Sequence, residues 1–379
     1  MTEIQKFISN YDDTSELINA FKNNLIKIKE NNNLILINYQ RNISNLSNTF
    51  IRQCRGTIIE KDTNKIISCP ISGGINFEDF KKKINWNECV IEESIDGTMI
   101  VLYYYNDKWN ISTKTTIDAN CYWNCDKTFK ELFNETSNKI GLNLNILNKN
   151  FCYTFVLCHP ECRNITKYKS EDLYHISSRN MDTLVELDEE IGIKKPLLLK
   201  LDKYNKLNIN SYAELIKSLD KLNYNIEGYM LYSKDRNYRV KLKGKKHNYV
   251  HQLKGNYPNI IQKLLEINDT DDMNDKNEFL KYFPEYIEKF NNIDDNIDTL
   301  SKKIYLLYSD VKKNKLENIV IPKIYSKIIV LLHIEYHKLM DKYRPEQHSY
   351  KPNITLTKIK HFILNSIEKN YLVAMLNTI

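Results

Sequence analysis

The spacing of apolar residues changes character once along this chain. Over roughly the first 250 residues it comes in short, often alternating runs at 34–39, 56–60, 66–69, 90–93, 99–105, 109–113, 153–157, 174–178, 228–232 and 238–242. Such runs, bounded by turn formers like Asn106-Asp107, predict β-strands. Helical spacing interrupts them near 123–138 and 212–222, and an opening helix is predicted over 15–29, with Leu17, Ile18, Phe21, Leu25 and Ile28 on one face. From about Asn256 the period becomes three to four, at 260–267, 277–290, 297–313, 322–343 and 356–375, with polar or Pro-containing links between. The pattern predicts an α+β domain of mainly antiparallel sheets over residues 1–254 and an all-α C-terminal domain over 255–379.

Composition narrows the class. At 379 residues and 45.0 kDa there is room for two full cores, and 42% hydrophobic with 27% charged residues fits a globular protein. No apolar run approaches the roughly 20 residues of a membrane helix. The start, Met1-Thr2-Glu3-Ile4-Gln5-Lys6, has no secretory pattern, so a cytoplasmic protein without membrane partners is expected. All eight cysteines fall within the first 162 residues. Cys121-x3-Cys125 and Cys158-His159-x2-Cys162 offer two short-spaced soft-ligand pairs, but the intervals are unusual for zinc, and reduced thiols on strand-like segments are the simpler reading.

Charge is concentrated. Between Lys234 and Lys254 stand eight Lys or Arg residues against one acid, Asp235. A basic stripe of this kind suits phosphates, whether of a nucleotide or an RNA backbone, while the plainer alternative is a solvated strand edge protected by lysines. Alternation puts Lys241 and Lys243 on one face under either reading.

The most informative stretch is Ser94-Ile95-Asp96-Gly97, set between a run ending at Glu93 and the apolar 98–105 segment. It resembles motif I, Lys-x-Asp-Gly, of the covalent nucleotidyltransferases, with Ser94 at the position of the nucleophilic lysine. Further segments are similar to those of phage-type RNA ligases, in the family's order over about residues 50 to 255. They are Arg52-Gln53-Cys54-Arg55-Gly56, Ile111-Ser112-Thr113-Lys114, the motif III-like run from Tyr153 to Ile165, Glu227-Gly228-Tyr229-Met230 (motif IV) and Lys241-Leu242-Lys243 (motif V). The resemblance implies a ligase-type nucleotidyltransferase domain whose sheets flank a cleft, acting on RNA ends with ATP and Mg2+.

It also implies roles. Ser94, Glu227, Lys241 and Lys243 occupy catalytic positions, and Glu227 faces the metal. Arg55, Asp96, Gly97 and Lys114 join Glu227, Lys241 and Lys243 around the nucleotide, while Arg163, Lys245, Lys246 and Lys254 are candidate RNA contacts. In-line transfer needs cations around an α-phosphate that gains negative charge and a nucleophile made reactive by its neighbours. The departures bear on activity: Ser94 cannot form a lysyl phosphoramidate, Val156 stands at the motif III carboxylate, and the segment from Pro70 to Asn76 lacks the family's lysine. The Lys81-Lys82-Lys83 triplet, or Ser94 with Glu92 or Glu93 as base, are the substitutes the sequence offers. The rival reading is a non-catalytic nucleotide- or RNA-binding pseudo-ligase. A capping-type guanylyltransferase is disfavoured, because no five-strand OB pattern follows motif V.

Overall fold

The computed structural model describes residues 1–269, 273–317, 319–344 and 351–379. It divides into two compact units, Met1–Asn256 and Tyr257–Ile379. The first carries three antiparallel sheets; the second, among the described residues, is helical. An α+β fold of antiparallel sheets followed by an all-helical region is therefore what the chain adopts.

The first sheet is a meander of Ile26–Asn31, Leu34–Tyr39, Arg55–Glu60 and Ile66–Ser68. The second runs, edge to edge, Glu186–Leu187, Asp172–Asn180, Phe151–Cys158, Thr98–Tyr105 and Lys108–Thr113. Asn106 and Asp107, both at positive φ (51° and 56°), form the two-residue turn joining the last two strands. The unbroken apolar run of Thr98–Tyr105 is explained by burial on both faces. Ile100 and Leu102 pack with Leu132 and Phe133 of the Phe129–Ile140 helix, whereas Val101 and Tyr103 pack with Leu36 and Ile58 of the first sheet.

The third sheet, ordered Tyr204–Asn205, Leu198–Leu201, Val90–Ser94, Gly228–Tyr232 and Arg239–Lys243, brings together segments more than 130 residues apart. Ile91, Leu231 and Val240 pack against Phe80 and Leu215 from the helices Phe77–Lys83 and Tyr212–Ser218. In the second unit, helices close on a core that includes Leu264, Phe279, Leu300, Ile328 and Ile363. Among the described residues no helix is long and apolar enough to cross a membrane.

One predicted element is replaced. Residues 15–29 do not form a single helix: Glu3–Ile8 and Thr14–Asn23 are helical, and Ile26–Asn31 is a strand paired with Leu34–Tyr39. Asp13 caps the second helix, and Leu25 at φ 58° breaks it. Ile26 and Ile28 alternate with lysines, a period-two signal that served helical spacing equally well until the neighbouring strand decided it.

Candidate functional site

Three segments meet at the end of the third sheet. Gly228 pairs in register with Ser94 on one side and Lys243 on the other, and Met230 faces Glu92 and Lys241 in the same way. Ser94, Lys241 and Lys243 therefore share a face, beside the mouth of the Gly228–Tyr232 strand where Glu227 stands. Gly228 is required by this approach: its φ is +138°, and a Cβ there would lie 2.0 Å from the Leu242 carbonyl oxygen. Gly97 is equally confined, since its Cβ would meet the Leu157 oxygen at 2.5 Å and Val156 Cγ1 at 2.6 Å.

Glu227 is the hub. Its side chain is 4% exposed; Oε2 accepts from Ser94 Oγ at 2.6 Å and Lys241 Nζ at 2.7 Å, and Oε1 lies 3.4 Å from Lys243 Nζ. Burial alone pushes its pKa up, but the two ammonium groups and these hydrogen bonds outweigh that and hold the carboxyl at about 2. It is thus a fixed anion and a poor proton acceptor. Ser94, 7% exposed, is consequently a hydroxyl donating to a weak base rather than one being stripped of its proton.

The cleft above this cluster has a volume of about 670 Å³, inside the range of small-ligand sites. Cations line one side: Arg41, Arg55, Arg239, Lys241 and Lys243. Another part is apolar, from Ile95, Met99, Val156, Ile176 and Met230. Burial, with help from Arg239 and Arg41, depresses the pKa of Arg55; Lys114 is likewise lowered, by burial first and then by Arg55, Arg41 and Lys241, although its side chain keeps an exposed surface. Burial and crowding by like charges thus act in the same direction on Arg55 and Lys114, whereas Lys241 and Lys243 are paired with Glu227 and Arg239 with Glu186.

Beneath the cleft, donor atoms of Asp96, Glu227 and His247 lie within 4.8 Å of one another, and all three residues are buried. His247 Nδ1 stands 2.8 Å from the Tyr224 carbonyl oxygen, while Nε2 has no hydrogen-bond partner. With Nδ1–H donating to that carbonyl, Nε2 presents a lone pair, so the donor set suits a cation. The other three-residue group among the described residues, Glu135, His159 and Glu161, has Lys127 already bridging both carboxylates. Neither group contains a cysteine, and all eight thiols are free.

The structure thus brings Ser94, Glu227, Lys241 and Lys243 together, with Gly97 and Arg55 on the cleft wall and Lys114 electrically coupled to it. Others fall elsewhere. Asp96, expected at the nucleotide, turns from the cleft; its Oδ2 accepts from the backbone N–H of Ile165 (2.9 Å) and Thr166 (2.7 Å). It anchors the loop at Ile165 and Thr166 and lends its carboxylate to the group beneath. Arg163 and Lys254, expected to meet RNA, are buried at 8% and 4% exposure. Arg163 Nε donates to the Ile165 carbonyl and Lys254 Nζ to those of Arg163 and Asn164, so these two charges brace the same loop. Only Lys245, paired with Asp220, and Lys246 are displayed.

The substitute groups are also occupied otherwise. Glu93 Oε1 accepts from the Leu197 amide and Glu92 pairs with Arg236, so neither serves Ser94. Lys81 pairs with Glu78, and Lys83 lies over the Tyr238 ring. Sequence reasoning missed Arg41, Arg239 and His247. Arg239 was within reach, because it continues the 239, 241, 243 alternation; Arg41 lies in a polar loop and His247 on a helix, where no local pattern singles them out.

No family model matches the chain. It is 25% identical over 319 residues to an RNA ligase of Rhodothermus phage RM378, an alignment covering 66% of this chain and 73% of that protein. It is 25% identical over 204 residues to a putative bifunctional polynucleotide kinase/RNA ligase of Autographa californica nuclear polyhedrosis virus, covering 48% of this chain and 29% of that protein. Among solved structures, a Naegleria gruberi RNA ligase variant with ATP and manganese aligns at a TM-score of 0.38 and 14% identity, over 48% of this chain and 57% of that one. By sequence, the chain is thus similar to viral proteins named as RNA ligases, one of them from a phage.

Proposed function

We propose that this protein is an RNA-ligase-like nucleotidyltransferase acting at RNA ends, with ATP and a divalent metal as cofactors, whose standard lysyl-nucleotide route is impaired. The observation that carries the reading is the convergence of Ser94, Glu227, Lys241 and Lys243 under a cleft that is cationic on one side and apolar on another. Lys241 and Lys243 neutralise phosphate oxygens as charge builds on them, Arg55 and Lys114 extend that field, and the apolar wall receives the base and keeps water from it. A divalent cation fits the donors of Asp96, Glu227 and His247, where it would add further positive charge beneath the phosphates. Lys245 and Lys246, on the exposed start of the Lys245–Lys254 helix, lie where a polynucleotide backbone can follow.

A second reading, a non-catalytic pseudo-ligase, is favoured by one observation: Ser94 is hydrogen-bonded to a carboxylate too acidic to activate it. Incubation with α-labelled ATP and magnesium, followed by a denaturing gel, tests the first reading, and equilibrium titration with ATP tests the pocket itself. Nucleotide binding without a covalent adduct is expected; an absence of nucleotide binding would refute the proposal.

A further inference from the structure

We infer that the second unit carries a site for a divalent transition cation of the zinc class, held by His333 and His337 on the Lys323–Lys342 helix. The two residues are four apart, so they stand one above the other on a single face of that helix. Their Nε2 atoms are 3.2 Å apart, and the rings meet edge to face with centroids 4.6 Å apart and planes at 75°. Two Zn–N bonds of about 2.05 Å spanning that gap subtend about 100°, close to the tetrahedral angle. The two nitrogens thus stand at chelating separation in the rotamers they already occupy.

Two imidazole nitrogens this close need something between them. Without a cation, one Nε2–H donates to the other Nε2; with one, both present lone pairs and each proton sits on Nδ1. The surroundings of His333 suit the second state. Tyr308, buried at the end of the Ile293–Tyr308 helix, sets its Oη 3.5 Å from His333 Nδ1, where it can accept that proton and fix the ring, as the outer partners of metal-bound imidazoles do. Burial, then Lys312 and His337, hold the pKa of His333 below the ordinary 6.5, so the ring is neutral and able to ligate at pH 7. His337 is exposed and His333 half-buried, and among the described residues no third histidine, cysteine or carboxylate completes the group, so water fills the remaining positions. Imidazole donors select zinc, nickel or copper over magnesium, which sets this pair apart from the carboxylate-bearing group of Asp96, Glu227 and His247. Glu335, the one acid between the two histidines, points off their face and pairs with Lys338; it is not placed as the general base of a hydrolytic zinc centre.

The test is calorimetric titration of the full chain with zinc chloride, its thiols kept reduced, in the wild type and in His333→Ala and His337→Ala. Zinc held by other groups is common to all three proteins, so the site is read as a difference. The wild type is expected to bind one zinc ion more than either variant, while His337→Ala, at an exposed position, keeps the circular dichroism spectrum. Tyr308→Phe should weaken that extra binding by roughly tenfold, and Lys312→Ala, which removes a nearby positive charge, should tighten it by roughly two- to fivefold. Zinc should also shield His333 and His337 of the wild type from carbethoxylation by diethyl pyrocarbonate, as peptide mapping reads. Equal zinc stoichiometry in the wild type and both variants, or unchanged carbethoxylation of the two histidines in excess zinc, would overturn the inference and leave a pair that shares a proton. Displacement of the extra zinc by equimolar magnesium would overturn the assignment to a transition cation. Each of these results leaves the nucleotide site of the first unit untouched.

Discussion

Ser94 and Glu227 show how a buried carboxylate sets what its neighbours can do: Glu227 accepts from Ser94 and is held by Lys241 and Lys243. If the geometry around position 94 is still that of a nucleotidyl-transfer pocket, Ser94→Lys should acquire an acid-labile nucleotide adduct with labelled ATP, where the wild type acquires none; tryptic mapping would place it. Glu227 also sets an acid limit. Its folded pKa of about 2 lies below the ordinary glutamate value of 4.5, so its contribution to stability is complete above about 4.5 and is lost as pH falls towards 2. Glu227→Gln should cost about 2–4 kcal/mol at neutral pH, because it leaves Lys241 and Lys243 without their anion, and should flatten the acid side of the stability profile in urea titrations at a series of pH values. The common face of Lys241 and Lys243 was legible in the sequence from strand alternation, whereas Glu227, which stands just before its strand, was picked out only by the resemblance of Glu227-Gly228 to a family motif. The direction of Asp96 was not legible: which way a turn residue points depends on the loop at Ile165 and Thr166, almost 70 positions away.

Among the elements, the Gly228–Tyr232 strand is the least replaceable, since it pairs with both neighbours that carry the site. Gly228→Ala places a Cβ 2.0 Å from a backbone oxygen at a φ that only glycine adopts freely, and should destabilise the first unit by about 3 kcal/mol or more in chemical denaturation. The basic stretch from Lys234 to Lys254 reads as one stripe in the sequence, but the structure splits it between a strand and a helix. Lys241→Ala with Lys243→Ala should weaken mononucleotide and RNA binding alike, by roughly 1.5–3 kcal/mol for each charge-assisted hydrogen bond to phosphate that is removed. Lys245→Ala with Lys246→Ala should weaken RNA binding alone and lower its salt dependence, as titrations with ATP and a short 5′-phosphorylated RNA at several ionic strengths would show. The ten predicted strands lie within a residue or two of the observed ones, because their runs are bounded by turns, but Glu186–Leu187, Leu198–Leu201 and Tyr204–Asn205 were not predicted, being too short to show a period of their own. The 15–29 stretch was not readable either, since its outcome rests on pairing with Leu34–Tyr39 rather than on its own period.

At the scale of the whole chain, the change from alternating to helical spacing near Gly255 coincides with a division at Asn256. Every residue of the candidate site lies before that division, so a fragment of residues 1–256 is expected to fold and to bind ATP with the affinity of the full chain. Calorimetric titration of both would check this, and loss of binding in a folded fragment would show that the helical unit is needed for the nucleotide. The three tryptophans, Trp86, Trp109 and Trp123, also lie before it, while tyrosines occur on both sides. Indole fluorescence, excited selectively at the red edge of the protein absorption band, is therefore blind to the helical unit, whereas far-ultraviolet dichroism is weighted towards it; any gap between the two melting curves of the intact protein is a direct reading of how independently its halves unfold.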